Sequence, residues 1–258
     1  MKNILSWFVL IVSIAVIVSS CAKSDDSKTA TTSTDNTTSS SDDSSDDTSD
    51  NSTSTSDNSS SSSTGSGIFV AVGNDGNIVR STDNGTNWDN ATTDNSTATR
   101  LYGVTFGNNT FVAVGESGNI VRSTDNGSSW DNATTDISTA TSLYGVTFGN
   151  NTFVAVGYQG NIVRSTDNGT NWDNATTDNS TATILYGVTF GNNTFVAVGD
   201  SGNIVRSTDN GSSWDNATTD NSTATSLYGV TFGNNTFVAV GASGNIVRST
   251  NNGSSWDN

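Results

Sequence analysis

The sequence predicts an all-β protein built from five copies of one four-stranded antiparallel unit, and three observations carry that prediction. One glycine recurs at Gly85, Gly127, Gly169, Gly211 and Gly253, a spacing of 42 residues each time. Periods of about 40 to 50 residues belong to propellers and solenoids, whose units bury their apolar faces on their neighbours. Within each copy, short runs rich in Val, Ile, Thr, Phe and Tyr alternate with clusters of Gly, Asn, Asp and Ser. That is the pattern of short strands joined by tight turns. No helical apolar period appears after residue 20.

The second copy shows each element in order. Residues 101–106 read as a first strand, 111–114 as a second, 119–123 as a third and 130–134 as a fourth. Gly107-Asn108-Asn109, Gly115-Glu116-Ser117-Gly118 and the 125–129 loop separate them, with Gly and Asn where a turn needs positive φ. Phe111-Val112-Ala113-Val114 lacks polar alternation, as a strand covered on both faces requires. Radial packing of blades supplies that cover, so the predicted architecture is a β-propeller of five blades. A two-rung β-helix would show a half-period near 21 residues. The unit has none. The first copy enters at its second strand and the last stops within its fourth, so the first blade lacks its innermost strand. We expect either a reading frame that continues with further blades or an imperfectly closed ring prone to pairing at its first blade.

Upstream of the repeats the chain changes character twice. Lys2 precedes an apolar run, Ile4 to Val18, that is interrupted only by Ser6 and Ser13. The run falls short of the roughly 20 residues of a spanning helix and ends on small residues, as a cleaved secretory signal does. Val18-Ser19-Ser20-Cys21 resembles the lipobox of bacterial lipoproteins, which implies removal of residues 1–20 and acylation of Cys21, the sole cysteine. One cysteine permits no disulfide within the chain. From 22 to 66 the sequence is mostly Ser, Thr, Asp and Asn without a large apolar side chain. Such a segment cannot offset its ordering entropy, and as a flexible coil it would span roughly 35 to 40 Å. The expected domains are thus a signal peptide at 1–20, a lipidated cysteine with a disordered tether at 21–66, and the propeller at 67–258. The expected location is a bacterial cell envelope, anchored through Cys21.

Charge narrows the partners. The formal net charge is −16, and the repeats carry a large share of it. Uniform negative charge repels phosphate backbones, so no nucleic-acid partner is expected. Anionic headgroups are repelled likewise, which leaves acyl chains as the membrane anchor.

The octet Ser-x-Asp-x-Gly-x-Ser-Trp at 123–130 and 207–214 resembles the Asp-box, or BNR repeat, of sialidases and other glycoside hydrolases. With Phe-Val-Ala-Val-Gly and Gly-Asn-Ile-Val-Arg-Ser-Thr-Asp ahead of it, the frame is most similar to propellers related to photosystem II stability and assembly factors. The resemblance implies fold rather than activity, since such propellers include enzymes and pure binding proteins. The box residues Asp83, Trp88, Asp125, Trp130, Asp167, Trp172, Asp209, Trp214, Asn251 and Trp256 read as structural, each carboxylate accepting N–H bonds in its own turn and each indole buried between blades. Asn251, which replaces the aspartate, predicts a looser last turn. Asp83, Asn87 and Asp89 do not match a calcium loop, so neither metal nor cofactor is expected.

The chain has no histidine and one glutamate. Sialidase-type chemistry implies a tyrosine paired with a carboxylate and arginines converging on the substrate, whereas Arg80, Arg122, Arg164, Arg206 and Arg248 repeat at one position per blade. No catalytic residue is therefore assigned. Beyond the mild box departures at Asn87, Asn171 and Asn251, the main variation between copies falls in two places, which an up-and-down blade puts on the face opposite the boxes. The turn after the second strand reads Asn74-Asp75, Glu116-Ser117, Tyr158-Gln159, Asp200-Ser201 and Ala242-Ser243, and the residue before the first strand reads Arg100, Ser142, Ile184 and Ser226. Tyr102, Tyr144, Tyr186 and Tyr228 begin the innermost strands beside them, either as core or as a ring of stacking groups. Drift of exposed turns after duplication competes with a binding role for this face. The candidate ligand face thus comprises Asn74, Asp75, Arg100, Glu116, Tyr158, Gln159, Ile184, Asp200 and the four tyrosines. The function this supports is a non-catalytic, membrane-anchored scaffold for a protein or carbohydrate ligand. A sialidase-like hydrolase and an assembly factor for a membrane complex are the alternatives.

The lipobox reading is checked by intact-mass analysis. The mature protein should begin at an acylated Cys21, and Cys21→Ser should leave the membrane fraction. Retention of Met1, or a Cys21→Ser form that stays bound, refutes it.

Overall fold

The computed structural model describes residues 67–93, 99–135, 141–177, 183–219 and 225–258. The signal, lipidation and tether assignments fall outside the described residues. What is described is a β-propeller of five antiparallel blades, and the second blade stands for all. Its strands run Leu101–Gly107, Thr110–Gly115, Ile120–Ser123 and Ser129–Asn132, each hydrogen-bonded to the next. The same spans recur 42 residues on in the third and fourth blades. The first blade has Phe69–Val72, Ile78–Ser81 and Asp89–Asn90, so its innermost strand is missing among the described residues.

Turn chemistry explains these boundaries. Asn108 and Asn109 have φ of 48° and 57°, the left-handed pair of a tight type I′ hairpin, which asparagine adopts more readily than most side chains. The next turn is one 3₁₀ turn, Glu116–Gly118, closed by Asn119 N–H donating to Glu116 O at 3.1 Å. A register shift between Leu101 and Gly103 makes Tyr102 the extra residue of a bulge, and the third, fourth and fifth blades repeat it.

The fourth strand departs from the sequence expectation. It ends at Asn132 instead of running to Thr134. Thr134–Thr135 then pairs in parallel with Asn171–Asn174, the outermost strand of the following blade. Thr92–Thr93 and Thr176–Thr177 do the same for their successors. An outermost strand would otherwise present a row of unpaired backbone groups, and a borrowed pair of threonines covers part of that edge.

The core lies between blades. Val112, Val114 and Ile120 on one face of the second blade pack against Leu143, Phe153, Ala155, Val163 and Trp172 of the third. The third meets the fourth, and the fourth the fifth, through the corresponding residues. Glycine lets the innermost strands approach. A Cβ on Gly149 would lie 2.1 Å from Cγ of Phe190, whose ring covers that glycine.

The two ends of the array lack this cover. Val240 and Ile246 of the fifth blade are 48% and 58% exposed, while Val198 and Ile204 of the fourth are 0% and 2%. Trp88 in the first blade is 44% exposed against 1% for Trp130, which corrects the expectation that every box indole is buried. Its blade has no preceding blade to pack upon among the described residues. Among the described residues, these faces of the first and fifth blades are thus partly uncovered.

Trp130→Ala and Trp214→Ala should each destabilise the domain by about 3 to 5 kcal/mol in denaturant melts, the usual cost of emptying a buried aromatic site. Trp88→Ala should cost under about 1 kcal/mol, as surface substitutions do. Equal losses at all three positions would contradict burial between blades.

Candidate binding face

The box turns face one side of the array and are filled by their own hydrogen bonds. In the second blade the Ser123 hydroxyl donates to Asp125 Oδ1 at 2.7 Å and accepts the Gly127 N–H at 2.9 Å. Ser129 N–H donates to Asp125 Oδ1 at 2.9 Å and the Ser129 hydroxyl to Oδ2 at 2.6 Å. Trp130 Nε1–H donates to Gly127 O at 3.1 Å, which fixes the indole. Gly127, at φ +78°, brings the loop against Val70 of the first blade. Asn87, at the position of Ser129, donates both its N–H and its amide to Asp83. Asn251 keeps the last turn intact, accepting from Ser249 and Ser255 N–H while its amide donates to Ser255 Oγ at 2.7 Å. The amide oxygen accepts the same two bonds, at 2.9 Å from the Ser249 hydroxyl against 2.7 Å at Asp125 and at 3.0 Å from Ser255 N against 2.9 Å from Ser129 N.

Donors concentrated on one carboxylate lower its pKa. The Ser129 hydroxyl, followed by the Ser129 N–H, holds Asp125 at about 2, and the Asn87 N–H with the Ser81 hydroxyl holds Asp83 at about 2. Partial burial pushes Asp167 and Asp209 up, but their hydrogen bonds together outweigh it and keep both below the usual range. Among the described residues no three Asp, Glu, His or Cys side chains converge as a metal set would. The arginines stay apart as well. Arg122, Arg164 and Arg206 each stand opposite an aspartate of their own fourth strand, Asp131, Asp173 and Asp215.

Box loops also join neighbouring blades. Asn168 accepts from Asn108 Nδ2 at 3.2 Å and donates to Thr110 Oγ1 at 2.6 Å, which links the third blade's box to the second blade's first hairpin. Sequence reading missed this seam, although the constant Asn-Asn and Asp-Asn-Gly pairs 60 residues apart carry it.

On the opposite side the two variable positions are direct neighbours. Glu116 N–H donates to Arg100 O at 2.8 Å, Tyr158 N–H to Ser142 O at 2.9 Å and Asp200 N–H to Ile184 O at 2.8 Å. The Ser226 hydroxyl reaches across blades to Asp200 Oδ1 at 2.5 Å. In the first blade the turn Asn74–Gly76, holding Asp75 at φ 56°, follows Gly73, whose carbonyl accepts from Leu101 N–H. Gln159 has φ 57° at the corresponding place.

The four tyrosines form one continuous ladder. Ring centroids are 5.3 Å apart between Tyr102 and Tyr144, 6.0 Å between Tyr144 and Tyr186, and 5.4 Å between Tyr186 and Tyr228. They are partly exposed, Tyr228 most, so they pack on one another and also present their edges. The ladder communicates with the variable turns. Partial burial raises the Tyr144 pKa, with Tyr102 and Tyr158 adding to it, and burial, Asp200 and Tyr228 raise that of Tyr186. Beside the fourth turn, Thr183, Asp200, Asn203 and Asn216 line a hollow of about 320 Å³.

Solved structures share this arrangement of blades. YCF48 bound to a D1 peptide superposes with a TM-score of 0.58 at 21% identity, over 75% of this chain and 63% of that one. The fold is a β-propeller like that of YCF48. A second YCF48, from Cyanidioschyzon merolae, gives 0.55 at 16% identity over 70% of this chain and 62% of that one. An ancestral GH74 enzyme gives 0.56 at 18% identity over 74% of this chain and 30% of its own. At these identities the likeness establishes the fold alone, and this chain spans less than two thirds of either YCF48. The similarity to photosystem II factor propellers expected from the repeats is met at that level. No family model matches the sequence. No curated protein matches it either.

The box carboxylates make stability depend on pH. Because their folded pKa values are depressed, their contribution is present above about 4, the unfolded value, and is lost as pH falls toward 2. Thermal melts should therefore fall steeply over that window. Asp125→Asn, which copies Asn251, should lower the neutral-pH melt, where the carboxylate's contribution is fully present, and flatten the fall in acid. An unaltered acid limb in that variant would show that the boxes do not control it.

Proposed function

We propose that this protein is an exported, lipid-anchored, non-catalytic scaffold whose tyrosine ladder and variable turns bind a protein partner. The observation that carries the reading is the adjacency of those two features. Partly exposed aromatic rings supply apolar contact at low entropic cost. The turns beside them are where blades differ most in chemistry, from Glu116 through Tyr158-Gln159 to Asp200. A rigid constant frame with a varied rim is the usual layout of a binding surface. The YCF48 structure with a D1 peptide gives a propeller of similar fold holding a polypeptide, which favours a protein over a carbohydrate ligand. Hydrolysis has no support from side-chain placement, since the arginines remain in separate blades.

In this reading Cys21 fixes the protein to a membrane of the cell envelope and the polar segment 22–66 lets the propeller reach partners roughly 35 to 40 Å away. A partner set into the same membrane then meets a raised local concentration of binding face.

Photo-crosslinking in native membranes tests this. A photoreactive phenylalanine analogue at Tyr158 or Tyr144 should yield one discrete adduct with another protein, and the same probe at Asn126 should yield none. With the probe at Tyr144, replacing Glu116-Ser117 and Tyr158-Gln159 with Ala-Ser, the pair already present at 242 and 243, should remove that adduct without lowering the melting temperature. Adducts from Asn126 alone would place binding on the box side and refute the reading.

A further inference from the structure

We infer that the hollow beside Asp200, on the variable side of the fourth blade, receives a basic side chain, arginine or lysine, of the protein partner. This rests on the reading of that side as a protein-binding surface and specifies what the partner presents to it. Thr183, Asn203 and Asn216 give the hollow polar walls, and Ile204 with Ala217 gives it apolar carbon. A side chain with an aliphatic stem and a cationic head matches both kinds of wall. Asp200 is the one charged group among the described residues that line it. Its Oδ1 accepts from the Ser226 hydroxyl, whereas Oδ2 has no hydrogen-bond partner among the described residues. No cation stands within ion-pair distance of it among those residues. An open carboxylate oxygen at the mouth of such a hollow is the acceptor that a guanidinium or ammonium group requires.

The polar wall recurs from blade to blade while the mouth does not. Asn203 Nδ2 donates to Thr183 Oγ1 at 2.8 Å, and Asn119, Asn161 and Asn245 make the same bond to Thr99, Thr141 and Thr225 at 2.8, 3.0 and 3.0 Å. The residue above that bond reads Glu116, Tyr158, Asp200 and Ala242 in the second to fifth blades, so only the second and fourth of these carry a carboxylate there. In the second, Glu116 N–H is bonded to the carbonyl of Arg100, which sets a cation of the chain itself next to the acid. In the fourth, the corresponding bond goes to Ile184, and Asp200 keeps its charge for a ligand. The hollow also adjoins the tyrosine ladder. Burial first and Asp200 next raise the Tyr186 pKa, as a carboxylate beside that phenol does. A polypeptide lying along the ladder therefore passes the hollow, and the net negative charge of the chain favours the approach of a basic one.

The test is a titration of the full chain in neutral detergent with fluorescent heptapeptides of glycine and alanine that carry arginine, its neutral isostere citrulline, or glutamate at the centre. Arginine should bind about tenfold more tightly than citrulline, the usual worth of one charge-assisted hydrogen bond, and glutamate more weakly than either. Asp200→Asn keeps an acceptor for Ser226 and should bring arginine down to the level of citrulline, with the citrulline affinity and the melting temperature unchanged. Asp131→Asn removes the same charge from the outermost strand of the second blade and should leave the preference for arginine intact, which separates the hollow from the general negative charge. Equal binding of arginine and citrulline, no binding of either, or an equal loss of preference in Asp131→Asn and Asp200→Asn overturns the inference. Photo-crosslinking from Tyr144 in native membranes decides the broader reading separately. An adduct that survives Asp200→Lys upholds a protein partner and overturns its basic anchor, whereas no adduct together with an intact preference for arginine refutes the partner and upholds the selectivity of the hollow.

Discussion

Burial of one blade's apolar face against the next is the interaction on which this structure depends. No blade has an interior of its own. The second strand, Phe-Val-Ala-Val in every copy, sends Val112 and Val114 to one neighbour and Phe111 and Ala113 to the other. Removing either neighbour exposes half of that strand, as the fifth blade demonstrates at Val240. Stability is then approximately a chain of nearest-neighbour terms, with its weakest members at the ends.

The polar parts of the repeat serve that packing. A box carboxylate gathers the N–H groups of its own turn, the turn holds a glycine against the preceding blade's valine, and the indole that follows is pinned by one hydrogen bond to Gly127 O. The Asn168 seam and the borrowed Thr134–Thr135 pair add backbone and amide bonds across the same joint. Constancy of these residues from copy to copy follows from a joint that must be made four times in the same geometry. The opposite side escapes this constraint. There the turns need only close on the residue before the first strand, through backbone atoms, so their side chains are free to differ.

That division also decides where chemistry can reside. Side chains fixed by packing recur at one position per blade and stay separated, as the arginines and the box aspartates, with Asn251 in the fifth blade, do. Side chains that differ, Glu116, Tyr158, Gln159 and Asp200, are brought beside a tyrosine ladder that the bulge at Tyr102 and its repeats makes possible.

Periodicity alone determined the fold class, the strand order within a blade, the turn positions and the separation of boxes from variable turns, because each is dictated locally by glycine, asparagine and apolar alternation. The sequence also marked the candidate face, since differences among otherwise identical copies are visible in one dimension. Only the tertiary structure decided what depends on neighbours. Trp88 and Trp172 occupy identical local sequences, yet one is exposed and the other buried, because the blade that would cover Trp88 is missing among the described residues. The tail of the fourth strand was misread for the same reason. Thr134 and Thr135 have the propensity of a continuing strand, but the edge they complete belongs to the next blade.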